Sequence, residues 1–145
     1  MTAALDTPPI RHRLPNRRVG EVRVIAFAHD DHAQPRRLYI TANYDPTDAA
    51  APRVLEVFLR GKSKVGTESD FLYDDIAVLL STSLQYGLTP RGIRNHLGAA
   101  DSDGRAKSLI AAVVDELIVI QDELVDAWRA SLGLPLLHPQ PEAAP

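Results

Sequence analysis

No cysteine occurs anywhere in the 145 residues. That absence excludes disulfides, thiolate metal sites, thiyl radicals and cysteine nucleophiles from this polypeptide. It is compatible with a reducing cytoplasm, the expected location. No apolar run approaches the ~20 residues needed to span a bilayer. The first twenty residues also lack the apolar segment of a secretory signal, so no membrane partner is expected. Charge of one sign is scarce in net terms: the balance is −3. A mildly acidic chain is a poor candidate for broad nucleic-acid binding. The length suits one domain.

What is present is unevenly spread. Arg11, Arg13, Arg17 and Arg18 crowd the stretch "RHRLPNRR". Asp115, Glu116, Asp122, Glu123 and Asp126 fall on the last long helical pattern. The plain reading is a basic arm and a solvated acidic helix face. The sharper reading is an arm that docks on an acidic surface, such as that helix in a second copy.

Residues 1–20 carry Pro8, Pro9 and Pro15 without periodicity and read as an extended basic arm. Residues 21–29 read as a strand. Residues 36–45 form a second, with Leu38, Ile40 and Ala42 on one face and Tyr39, Thr41 and Asn43 on the other. Residues 53–60 form a third, with Leu55, Val57 and Leu59 on one face and Val54 and Phe58 on the other. Short links between the three predict an antiparallel meander. A helix capped by Ser69 or Asp70 should run to about Tyr86. Its apolar residues Phe71, Leu72, Ile76, Ala77, Leu79, Leu80 and Leu84 cover more than one stripe, which predicts a largely buried helix.

The stretch "LQYGLTP" then turns a corner. Gly87 is the natural left-handed residue past a helix end, Thr89 caps the next helix and Pro90 fills its first turn. That short helix should end at Gly98. A last helix, capped by Asp101, Ser102 or Asp103, should run to about Ser131 before Gly133 and Pro135 stop it. In it Ile110, Val113, Leu117, Ile120, Leu124 and Ala127 form a heptad-like seam, with Val114, Ile118, Val125 and Trp128 beside it. The fold class is therefore α+β, a three-stranded antiparallel meander followed by three helices packed on the sheet. One domain spans residues 21–132, and residues 133–145 form a Pro-rich, flexible tail.

Several motifs bear on chemistry. "GKSKVGT" places Gly61, Lys62, Lys64, Gly66 and Thr67 between a strand and a helix. It lacks the Walker lysine after the second glycine, but such a loop can hold an anion or nucleotide through backbone N–H groups. "HDDH" at 29–32 offers four donors that one tight turn cannot aim at a single ion, so no metal is expected. Asp70, Asp74 and Asp75 suit the positive end of a helix dipole. Ser81 and Ser83 have no His–carboxylate pair that sequence places near them. Residues 89–97, with Arg91, Arg94, Asn95 and His96, fit the outline of a helix-turn-helix reader of DNA.

Four segments occur in one order: "RHRLPNRR" at 11–18, "LEVFLRGKSKVG" at 55–66, "SLQYGLTP" at 83–90 and "AKSLIAAVVDEL" at 106–117. Together they resemble the TSCPD domain, the C-terminal region of adenosylcobalamin-dependent (class II) ribonucleotide reductases. The resemblance covers about residues 10 to 120. Its motif residues here are Arg13, Arg17, Arg18, Glu56, Phe58, Gln85, Tyr86, Gly87, Lys107 and Ser108. It implies a link to deoxyribonucleotide synthesis and a large ribonucleotide reductase subunit as partner. It does not imply catalysis, because the family's radical, redox and tail cysteines have no counterpart in this chain. Leu88 and Thr89 also stand where the family favours Val-Pro, with Pro90 one step later. The resemblance predicts a stand-alone accessory or regulatory domain with no catalytic residue and no cofactor of its own, adenosylcobalamin entering only with a full reductase. The alternative is the DNA-binding regulator. Apolar residues on both sheet faces predict a homodimer, built on Phe58 with Phe27 or on the Val114–Ile118–Val125 stripe. The competing arrangement has Leu5, Ile10 and Leu14 of the arm cover the open face.

Overall fold

The computed structural model describes residues 9–16, 18–28, 32–47, 50–62, 66–98 and 104–138. Three strands, β1 (Val19–Phe27), β2 (Arg36–Tyr44) and β3 (Val54–Gly61), precede three helices, α1 (Glu68–Gln85), α2 (Pro90–Asn95) and α3 (Leu109–Ser131). The sheet is antiparallel in the order β1-β2-β3, so the meander and the α+β class are as the alternation predicts.

Both long helices lie on one face of the sheet. Leu38, Ile40 and Ala42 of β2 and Val57 and Leu59 of β3 meet Tyr73, Ala77, Leu80 and Leu84 of α1 and Val113, Val114, Leu117 and Ile120 of α3. Each of these is buried. Arg23 lies on the same face of β1, opposite Ile40. It bonds Glu21 and also Glu123 of α3, with Glu116 at 3.7 Å. The hydrogen bond to Glu123, then that to Glu21, raises the guanidinium further above its ordinary value. α3 is thereby tied to β1, where apolar packing is thin.

Several expectations need correction, the first being that Thr67, and not Ser69 or Asp70, caps α1. The ladder slips between Asn43 and Tyr44, pairing Asn43 with Glu56 and Tyr44 with Val54. This bulge leaves Leu55 unmatched and puts Val54 in the core, not on the outer face with Phe58. α1 is half-covered rather than largely buried. Phe71, Leu72, Val78 and Leu79 are exposed because a single sheet packs against only one side of it. α3 begins later than expected: Ser108 is its N-cap and accepts from Ala111 N at 3.2 Å, while residues 101–103 lie outside the described residues.

β3 is an edge strand, and helix side chains complete its backbone. Ser81 Oγ accepts from Val57 N at 2.9 Å and donates to Val57 O at 3.3 Å. Gln85 Nε2 donates to Leu55 O at 3.0 Å. Gln121 of α3 accepts from Val54 N at 2.9 Å and donates to Pro52 O at 2.7 Å. Ser81 and Gln85 sit one turn apart on α1, so both face the same edge. Buried polar groups without partners are costly, which accounts for these two on an otherwise apolar helix face.

The chain past Gly133 turns back on α3. Asp126, buried, accepts from Leu137 N at 2.9 Å and His138 N at 3.1 Å. Arg129 Nε donates to Pro135 O at 2.6 Å. Among the described residues, no helix is long and apolar enough to cross a membrane.

Candidate functional site

Three of the four segments that carry the family resemblance meet around Gln85. Its backbone oxygen accepts from His12 N at 2.8 Å, and its side-chain oxygen accepts from Arg11 Nε at 2.6 Å. With Nε2 on Leu55 O, one buried amide joins the arm, α1 and β3. The sequence places Gln85 at the α1–α2 corner; its bonds instead run sideways to the sheet edge and the arm. Arg18 Nη1 reaches both carboxylate oxygens of Glu56 at 2.6 and 2.7 Å, and Asn43 Nδ2 donates to the same carboxylate at 2.8 Å. Asn43 lies over Gly20, its cross-strand partner, where a Cβ would come within 2.0 Å of Asn43 Oδ1. Arg11 belongs to the basic "RHRLPNRR" stretch, but Asn43 and Gly20 carry no motif that sequence reasoning could isolate, and only the strand register brings those two together.

The remaining motif residues are dispersed. Phe58 is exposed on the open sheet face, and Tyr86 is exposed at the end of α1. Gly87 has φ +103. Its N–H bonds Leu84 O, and Leu88 N bonds Ser83 O, both at 3.1 Å, closing α1 as the sequence predicts. Lys107 is exposed, Ser108 caps α3, Arg13 is exposed, and Arg17 lies outside the described residues.

The loop at 61–67 is divided between two tasks. Gly61 and Lys62 border an open cleft of about 460 Å³ with Arg36, Arg37 and Ser69. Gly66 N donates to Asp70 Oδ2 at 3.0 Å, and Thr67 Oγ1 accepts from Asp70 N. The carboxylate of Asp70 therefore takes the place at the α1 N-terminus that an external anion would occupy. Lys64 lies outside the described residues, as do residues 29–31 of the "HDDH" turn.

Around α2 the basic residues are already engaged. Arg91 makes a two-pronged pair with Asp122, both bonds 2.6 Å, and Arg94 bonds Asp115 at 2.7 Å and Gly98 O at 3.0 Å. The Arg91 guanidinium holds the Asp122 carboxyl below the usual carboxylate range, against the opposing effect of burial. α2 ends at Asn95, short of Gly98. These pairs clamp α2 to α3 and draw the arginines away from the role a DNA reader needs. Beside them lies a cavity of about 330 Å³, with walls that include Leu84, Leu88, Pro90, Ile118 and Val125 and a rim that includes Arg91, Asp122 and His138. Two residues of the second α3 stripe, Ile118 and Val125, thus face this cavity, and a third, Val114, is fully buried in one copy.

No curated protein and no solved structure matches the chain. A family model, that of the TSCPD domain, matches residues 11–119. This domain is found in ribonucleotide-reductase-related proteins. The match begins at Arg11, takes in the Arg18–Glu56 pair and the Gln85 junction, and ends on α3, so the bonds that fasten the arm to the sheet and helix lie within it. The chain belongs to the TSCPD domain family.

Proposed function

We propose that this chain is a non-catalytic accessory or regulatory domain of deoxyribonucleotide synthesis that docks on a large ribonucleotide reductase subunit. Family membership supports the link to ribonucleotide reduction. A chain without cysteine supplies neither a thiyl radical nor a reducing dithiol, so chemistry would belong to the partner, together with any adenosylcobalamin.

The observation that carries the docking role is the outer face of α1. Phe71 and Leu72, and Val78 and Leu79 two turns later, are each more than half exposed, with Asp74 and Asp75 on the turn between them. Large exposed apolar side chains grouped on one helix face mark interaction sites in soluble proteins. α1 carries Glu68, Asp70, Asp74 and Asp75 and no basic residue. A helix face with two apolar pairs and carboxylates between and before them fits an apolar groove that carries basic residues.

The test is a pull-down with the tagged chain from its host, with bound protein identified by mass spectrometry. The expected result is a large reductase subunit that is lost with Leu79→Lys while the circular dichroism spectrum stays unchanged. Absence of that subunit, or its retention by the variant, overturns the reading.

A further inference from the structure

On the sheet face opposite the helices Arg18 lies against Glu56, and the large apolar side chains beyond that pair are exposed. The outward side chains of this face fall in cross-strand rows: Gly20–Asn43–Glu56, Val22–Thr41–Phe58, Val24–Tyr39–Arg60 and, at the end of the sheet, Ala26–Arg37. Val22 is 65% exposed, Val24 54%, Phe58 50% and Tyr39 38%. The described part of the arm leaves these four side chains exposed, although Arg18 lies against Glu56 on the same face. Its Arg11 and His12 bond Gln85, with Ile10 78% exposed, Leu14 partly buried and Leu5 outside the described residues. Phe27 cannot join this patch, because it pairs with Arg36 and shares the face of Leu38 and Ile40.

We propose that this face is the contact between two copies of the chain, packed sheet on sheet about a two-fold axis along the Val22–Thr41–Phe58 row. The argument is charge complementarity of the face with itself. Outward along β3 the residues read Glu56, Phe58, Arg60: carboxylate, ring, guanidinium. A half-turn about the Val22–Thr41–Phe58 row reverses that order. It sets Phe58 on its own counterpart and brings each Arg60 over the other copy's Glu56, twice per pair. The same rotation places Val24 over the other copy's Gly20, a large residue against the smallest one. Arg60 is exposed, with no ion-pair partner among the described residues. Glu56 keeps 17% of its side chain open beside Arg18. Aligned sheets pack about 10 Å apart and turn by roughly 30°, an offset that a side chain as long as Arg60 can span.

The rival surface lacks this property. A second α1 laid on the first would bring Glu68, Asp74 and Asp75 near their own kind with no cation on either helix. The homodimer therefore uses the sheet, and the proposal is independent of what docks on α1.

Sedimentation equilibrium of the whole chain across the micromolar range decides the matter. The expected mass is twice the 15.9 kDa of one chain. Arg60→Glu sets carboxylates against each other and should halve the mass, as should Phe58→Asp. Both single changes fall on exposed side chains, so thermal melting of the monomers checks that the fold is kept. A wild-type chain that stays monomeric overturns the proposal. So does a dimer that survives both single changes, or one that is lost with Leu79→Lys.

Discussion

The hydroxyl of Ser81 serves both backbone groups of Val57, accepting from its N–H at 2.9 Å and donating to its carbonyl at 3.3 Å. One small side chain on α1 completes an edge-strand residue whose own side chain is 1% exposed. Ser81→Ala should therefore cost more than an ordinary surface change. Leaving a buried N–H unpaired costs about 1–3 kcal/mol. Urea unfolding should show that loss with an unchanged m-value; a midpoint equal to wild type would mean that water replaces the hydroxyl.

Gly20 and Asn43 are coupled by contact. Gly20→Ala drives a methyl group into the Asn43 amide, which must leave Glu56. The single change should cost about 1 kcal/mol, the worth of one displaced hydrogen bond. In an Asn43→Ala background the same change should be close to neutral. A double-mutant cycle measures the difference, and strict additivity would contradict the contact.

At Gly87 the strain is purely backbone. A Cβ there meets no atom within 4 Å, yet φ is +103. Gly87→Val should cost on the order of 1–3 kcal/mol through the strained conformation alone. Gly87→Asn should cost less, since Asn tolerates the left-handed region better. Equal melting temperatures for the two variants would show that backbone conformation is not the cause.

The Arg91–Asp122 pair predicts an acid dependence. The Asp122 carboxyl is held low by Arg91 in the folded chain. Its stabilisation is thus present above the ordinary carboxylate pKa and is lost as pH falls through the lower folded value. Asp122→Asn should cost about 0.5–1 kcal/mol near neutral pH, a modest figure because Arg91 is 56% exposed. The gap to wild type should close below about pH 4. Melting curves from pH 3 to about 8 test the sign; a gap that widens in acid refutes it.

Ribonucleotide reduction by the pure chain should be absent, with or without adenosylcobalamin and a dithiol. The reason is chemical: the resembled enzymes need sulfur for both the radical and the reductant, and the chain has none. Product above a no-protein blank would refute the assignment of chemistry to a partner.

The corner was legible because its signals are local. Gly87, Thr89 and Pro90 each act through their own backbone or the next turn, so residue type and spacing suffice. The strands were legible for a similar reason, since alternation reports two faces. What escaped depends on register and on contacts across the chain. Val54 changes face only because the ladder slips beside Asn43. The α3 start at Ser108 competed with three equally good capping residues upstream. Arg18 and Glu56 are each conspicuous, but they are 38 positions apart and only the folded sheet pairs them. Gln85 was legible as a family residue, while its triple role became visible only with Leu55 and the arm in place.

The way β3 is finished also limits how the sheet can grow. Val54, Leu55 and Val57 already use outward backbone groups on Gln121, Gln85 and Ser81. A stray strand arriving at that border would find hydrogen-bonding sites occupied and a helix in the way. The three side chains act as a selvedge, a border woven shut so that the fabric neither frays nor extends, and they disfavour fibril-like stacking through β3 in addition to its charged residues Glu56 and Arg60.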